Sequence, residues 1–319
     1  MRYRTFLQAL AVVLMFGFSP LSRAAEPASD TAHKLFFWKV TGSPGVVYLL
    51  GTIHVGKAEL YPLAAIIESS FGQADVLVTE ADLVEAQDPA RLLKMLLQRG
   101  VYPIGDSVEK HIGEETRAHL TRYIETTKEL APSYTRLKPW FLSVAIAITE
   151  AKRMGFATSE GLDQHFVDEA VKMHKPIDTL ETVESQLDLM NSFSDELQDQ
   201  LLLAALLDAE HKSELVDRLL QAWKSGNLDA MAETTIRYAD EYPRLKPVFA
   251  KMFDQRNDGM TQKIEEFLQT SKTYFVAVGA GHLAGDRGIL SQLRRKNYDV
   301  EQLQDRGIKS AAKFSRKPS

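Results

Sequence analysis

Two stretches at opposite ends of the chain repeat one pattern, and no other feature limits the fold so strongly. Residues 48–56 (YLLGTIHVG) and 276–285 (VAVGAGHLAG) each run from an apolar strand into Gly-x-x-His. A helical pattern follows each, then a strand entered through Ala-Asp-Val (74–76) or Tyr-Asp-Val (298–300). Strands alternating with helices build a sheet with crossover helices. The simplest arrangement sets the two units side by side. The expected fold class is therefore α/β, with a central mixed β-sheet built from two strand–GxxH–helix–strand units and a large, mainly helical insertion at about 84–270.

The stretches between the repeats fit that plan. Residues 34–40 (KLFFWKV) and 46–53 (VVYLLGTI), separated by Gly-Ser-Pro-Gly, read as a β-hairpin. A helix is expected at 60–71 and a strand at 76–79 (VLVT). Helical spacing of apolar residues then recurs at 89–99, 114–130, 139–154, 162–173 and 183–191. It continues through 195–224 as one or two helices, then 229–238 and 246–268, with one short strand at 176–180. Residues 273–278 (TYFVAV) are apolar on both faces, as an interior strand requires. A helix at 287–296 and a strand at 298–303 complete the second unit.

The ends of the chain read as processing and tail segments. Arg2 and Arg4 precede the apolar run 6–18, and Ser22-Arg23-Ala24 offers a cleavage site, so 1–24 is expected to be a signal peptide. The run falls short of the ~20 residues a membrane span needs, so no stable transmembrane anchor is expected. The product would be exported, periplasmic or secreted. Residues 25–308 then form the folded domain, after a polar leader at 26–31, and 309–319 a basic disordered tail. A net charge of −5 offers no footprint for nucleic acid. The chain has no cysteine, which rules out disulfides, a thiol nucleophile and thiolate metal ligands.

Ligand sites in parallel sheets gather at the carboxyl ends of strands. His54, Glu80 and His282 all stand at such ends. Gly51 and Gly279 allow a sharp turn or a close approach to the backbone. Two histidines and a carboxylate with open positions form a hydrolytic metal site, in which the ion acidifies water and polarises a carbonyl. The ordinary alternative for each histidine is a hydrogen-bonded structural residue, and for Glu80 a turn cap. HExxH, GxSxG and GxxxxGK[ST] are all absent, and GAGHLAG lacks GxGxxG spacing.

In order, GTIHVG, VLVTEADL, LKPWF, GLDQHF, LETVESQ, RNDGM and FVAVGAGHLAGDRGIL together resemble the TraB/GumN family. The resemblance spans about 37–300 and extends to the Tiki-like metalloproteases. It implies a metal-dependent peptidase with His54, Glu80 and His282 at the metal, a divalent ion such as Mn, Co or Zn, and a peptide or small-molecule substrate. Glu80 would be a ligand or the general base. The wider superfamily, similar to haem-binding ChaN and erythromycin esterases, implies a mixed sheet with helices around it. A ligand-binding envelope protein, holding haem or a peptide without turnover, is the alternative.

The remaining candidates support that centre. Arg256 could stabilise an oxyanion or hold a substrate carboxylate, or be a solvated or salt-bridged helix residue. Arg256 and Asn257 are expected late in the long helix at 246–268. Asp163 could orient a metal-bound histidine or cap its helix, and Glu181 carries the same ambiguity. His165 reads as packing or surface, and His111, His119, His174 and His211 show no partner pattern. Trp140 is expected to anchor its helix in the core, with pocket lining the sharper alternative.

Overall fold

The computed structural model describes residues 33–82, 88–128, 130, 132–211 and 215–305. The expected signal peptide, leader and basic tail lie outside these residues. Six strands form one sheet: β1 (His33–Thr41), β2 (Val46–Thr52), β3 (Val76–Thr79), β4 (Ile177–Thr179), β5 (Thr273–Gly279) and β6 (Asp299–Asp305). Their order is β4–β3–β5–β2–β1–β6. β1 pairs antiparallel with β2, as the hairpin signal requires, and antiparallel with β6. β2, β5, β3 and β4 are mutually parallel, so the sheet is mixed. The two repeated units do meet: Thr52 of β2 stands opposite Gly279 of β5.

Alternation along the strands separates two cores. Phe37, Leu50, Leu77 and Phe275 face α1 (Ala65–Gln73) and, after three intervening helices, α5 (Leu162–Lys172). There Phe166 packs on Phe275 with ring centroids 4.7 Å apart. Trp38, Leu49, Val78, Val276 and Val278 face the opposite way, toward Met260, Ile264, Leu290 and Leu293. β5 is buried from Tyr274 onward, which suits its interior place.

The other helices are α2 (Pro89–Gly100), α3 (Glu114–Thr127), α4 (Pro139–Arg153), α6 (Val183–Asn191), α7 (Asp195–His211), α8 (Leu215–Lys224), α9 (Leu228–Glu241), α10 (Arg256–Leu268) and α11 (Ile289–Arg295). α2 starts where Asp88 accepts from the N–H groups of Ala90 and Arg91, a side-chain N-cap. α4 is the spine of the helical part. Its Trp140, Val144 and Ile148 join one apolar cluster, while Leu142 and Ile146 join another with Leu120 of α3 and Leu202 and Leu206 of α7. Trp140 is fully buried, so the anchoring role is the one it takes.

Two helix expectations shift, and a third is decided between its own alternatives. The helix expected from 60 begins at Ala65, because Pro62 lacks an N–H and disfavours helix just before it. Residues 195–224 divide into α7 and α8. The helix expected over 246–268 is interrupted by a π-helical segment, Ala250–Gln255. Arg256 and Asn257 therefore open α10 and do not stand late in one long helix.

Candidate metal centre

All four parallel strands deliver a candidate side chain just past their carboxyl ends: His54 after β2, Glu80 after β3, Glu181 after β4 and His282 after β5. Backbone pairing extends beyond β3 and β4, with Leu180 N–H donating to Thr79 O and Glu181 N–H to Glu80 O. That holds Glu80 and Glu181 side by side. Glu181 lies outside α6, whose N-cap is Thr182, so it does not cap that helix.

His54 is fixed by the start of α5. Leu162 N–H donates to Ile53 O, and a Cβ on Gly161 would fall 2.3 Å from His54 O. This contact brings the Asp163 carboxylate to His54 Nδ1 at 2.7 Å, while Thr52 Oγ1 donates to its other oxygen at 2.7 Å. Asp163 makes no capping bond; the cap position is Gly161. His282 sits in a single helical turn, Ala280–Leu283, with Nδ1 2.6 Å from Asn257 Oδ1. Asn257 Nδ2 donates to Arg287 O at 3.0 Å, which fixes its amide so that the oxygen faces the histidine.

Those partners set both tautomers. Asp163 and Asn257 present acceptors, so each Nδ1 donates and each neutral ring keeps its lone pair on Nε2. Both Nε2 atoms point at one carboxylate: His54 Nε2 is 3.9 Å from Glu80 Oε2, and His282 Nε2 is 3.8 Å from Glu80 Oε1. Glu80 also accepts from Gly279 N–H at 3.0 Å, Arg256 Nη2 at 2.6 Å and Gln186 Nε2 at 3.1 Å. Arg256 Nε and Nη2 bind Glu181 as well, and Nη1 donates to Met252 O. The guanidinium is thus engaged on every side and only 9% exposed, which is the salt-bridged arrangement.

The electrostatics follow from this packing. Burial alone would lower His54, but the charge and hydrogen bond of Asp163, then Glu80, raise it to about 8. Burial and the Arg256 cation push His282 the other way, to about 3. Burial would raise Glu80, but Arg256, the two histidines and the Gly279 N–H hold it far below the usual carboxylate range.

Among the described residues, no three His, Asp or Glu side chains are drawn to metal-holding spacing. Ligands at 2.0–2.1 Å around a tetrahedral ion lie about 3.4 Å apart, so the 3.8–3.9 Å separations are roughly half an ångström wide. The donor set nevertheless suits a cation. Two imidazole Nε2 atoms and a carboxylate converge at distances too long for hydrogen bonds to one another. Gly279 leaves the space between them: a Cβ there would lie 3.1 Å from both Glu80 Oε2 and His54 Nε2. Its φ of −48° is ordinary, so the missing side chain matters here and not conformational freedom.

Sequence reasoning did not single out Gln186, Thr52 or Phe253. The signal for Gln186 was a polar residue beside the buried Val183, Leu187 and Met190 stripe of α6. Two of the histidines without a partner pattern in sequence do have partners: His111 lies between Asp106 and Asp195 and stacks on Tyr102, and His119 meets Glu210. His165 bonds Glu68 and packs on Tyr61 and Phe166, away from the centre.

The model of the TraB/PrgY/gumN family matches residues 36–302. The protein YbaP of Escherichia coli (strain K12) is 27% identical, over 77% of this chain and 87% of YbaP. Metalloprotease TIKI1 of Danio rerio is 24% identical, over 88% of this chain and 65% of that protein. Metalloprotease TIKI2 of Xenopus tropicalis is 23% identical, over 86% of this chain and 61% of that protein. The chain thus spans less than two-thirds of these Tiki proteins. No solved structure matches it.

Proposed function

This chain belongs to the TraB/PrgY/gumN family, and from that premise we propose that it is a metal-dependent hydrolase, a peptidase, acting through His54, His282 and Glu80. The observation carrying this reading is the pair of Nε2 atoms turned to one carboxylate, at 3.9 and 3.8 Å from its two oxygens. His54, His282 and Glu80 would hold a divalent ion, Mn, Co or Zn. Such an ion supplies an acidified water and a polarised carbonyl. The names of the Tiki relatives agree with that chemistry.

Glu80 is read as a ligand and not the general base, because its two oxygens face the two Nε2 atoms and already accept from Arg256, Gln186 and the Gly279 N–H. Arg256 acts through Glu80, holding it ionised and oriented. Reaching an oxyanion would require it to leave Glu80 and Glu181. Asp163 and Asn257 are positioning residues that keep both rings in the metal-ready tautomer. The expected signal segment assigns this activity to the periplasm or the exterior.

The test is metal analysis of the purified protein beside His54→Ala and His282→Ala, with a peptide library assayed in Mn, Co and Zn. We expect bound metal and metal-dependent cleavage in the wild type, and neither in the variants. Absence of both from the wild type overturns the proposal. Bound haem or peptide without turnover selects the binding-only role.

A further inference from the structure

His54, Glu80 and His282 form the floor of a chamber whose walls are apolar. Leu189 and Met190 come from α6, Leu219 from α8, Met231 from α9, and Met252 and Phe253 from the π-helical segment. Its cavity volume is about 40 Å³, roughly three times what one water needs, so it admits one side chain at most and not a whole ligand. Outside the centre and Arg256, the polar side chains lining it are Gln186, already held on Glu80 and Glu181, and Thr235. The chamber also has a place in the packing. Met190 and Met252 belong to the apolar cluster of the helical part, and Leu219 and Met231 to that on the sheet. The chamber thus lies where residues of the two clusters come together beside the centre. Protein interiors are otherwise close-packed, and three methionines give this gap walls that adapt to a guest's shape.

Phe253 forms the boundary of this space. Its ring lies parallel to Phe249 at 6.1 Å and tilts toward His282 at 5.1 Å. It lines both the chamber and a second groove, which shares Gly281 and Thr235 with the chamber. Along that groove stand Ala232, Ala250, Ala284 and Gly285. These small side chains leave width for a main chain, and Asp240, Lys246, Asp254, Asp286 and Arg287 along the same groove offer partners to its polar groups.

We propose that the chamber is an apolar subsite. It takes one Leu-, Met- or Phe-sized side chain of a peptide beside the bond presented to His54, Glu80 and His282, and the peptide's main chain leaves past Phe253 along the groove. The inference rests on the reading of the centre as the place of reaction. It deepens that reading by naming what the substrate carries next to the susceptible bond.

Dye-labelled pentapeptides differing only in a central Leu, Phe, Asp or Lys test it, by fluorescence anisotropy on the intact protein. The Leu and Phe peptides should bind about tenfold or more tightly than the Asp and Lys peptides, the scale at which pockets discriminate. Met231→Trp, which fills the chamber, should erase that preference. Met252→Ala, which enlarges it, should move the preference toward Phe, and carries the test alone if circular dichroism shows Met231→Trp unfolded. Equal binding of all four peptides overturns the subsite, as does a preference that Met252→Ala leaves unchanged. Apolar preference without metal-dependent cleavage retains the subsite and removes the hydrolase. Metal-dependent cleavage indifferent to the central residue does the reverse.

Discussion

At the scale of single residues, the centre depends on what stands behind each histidine. Asn257 holds His282 by its amide oxygen, so Asn257→Ala removes the partner that selects the tautomer. Loss of such a partner costs about 10- to 100-fold in metal affinity, which chelator competition would measure. An unchanged affinity would remove Asn257 from the positioning role. The two rings should also titrate differently in the chelated protein. His54, beside Asp163 and Glu80, should release its proton near pH 8. His282, buried beside Arg256, should stay neutral until about pH 3. Imidazole proton resonances followed against pH give both values, and similar midpoints would count against this charge arrangement. Gly279→Ala is the sharpest steric probe. Its backbone accepts alanine, but the new methyl would sit 3.1 Å from His54 Nε2 and Glu80 Oε2. We expect loss of metal uptake with little loss of thermal stability.

At the scale of elements, the π-helical segment Ala250–Gln255 sets where Met252, Phe253, Arg256 and Asn257 point. A π-bulge is one residue wider than an α-helical turn. Deleting Lys251 should convert it to α-helix and turn the preceding elements about 100° relative to α10. Helix content by circular dichroism should persist while metal binding falls; retained binding would deny the segment its aiming role. Much of this layer was legible in the sequence. The strands at 76–79 and 273–278 stand out because they are apolar throughout, and the two Gly-x-x-His units advertise their shared sheet. The π segment was hidden because Val248, Met252, Met260 and Ile264 keep a helical spacing across it. Asp163 showed itself only as one of two alternatives, since the choice depends on α5 docking against His54, a contact between residues 109 positions apart. The pairing of Glu181 and Gln186 with Glu80 and Arg256 is invisible for the same reason. It follows from β3 lying beside β4, and no local pattern encodes that neighbour.

At the scale of the whole molecule, the centre joins distant parts of the chain, so a bound ion should stabilise the entire fold. Ligand present at 100 times its dissociation constant adds about 2.7 kcal/mol. For a domain of this size that is a rise of roughly 5–10 °C in Tm. Scanning calorimetry with and without Mn, Co or Zn should show the rise in the wild type and none in His54→Ala or His282→Ala. An equal rise in the variants would place the ion elsewhere. The strand order also bears on how the protein is made. Polypeptides emerge amino end first, and β5, the last of the four parallel strands in sequence, occupies the seat between β2 and β3. A nascent or truncated copy that stops before residue 273 already carries His54, Glu80, Asp163 and Arg256, yet its sheet has a vacancy one strand wide at the centre. It lacks His282 and the Gly279 N–H that helps hold Glu80. On the proposed reading, the centre is therefore completed only when β5 inserts between strands already made.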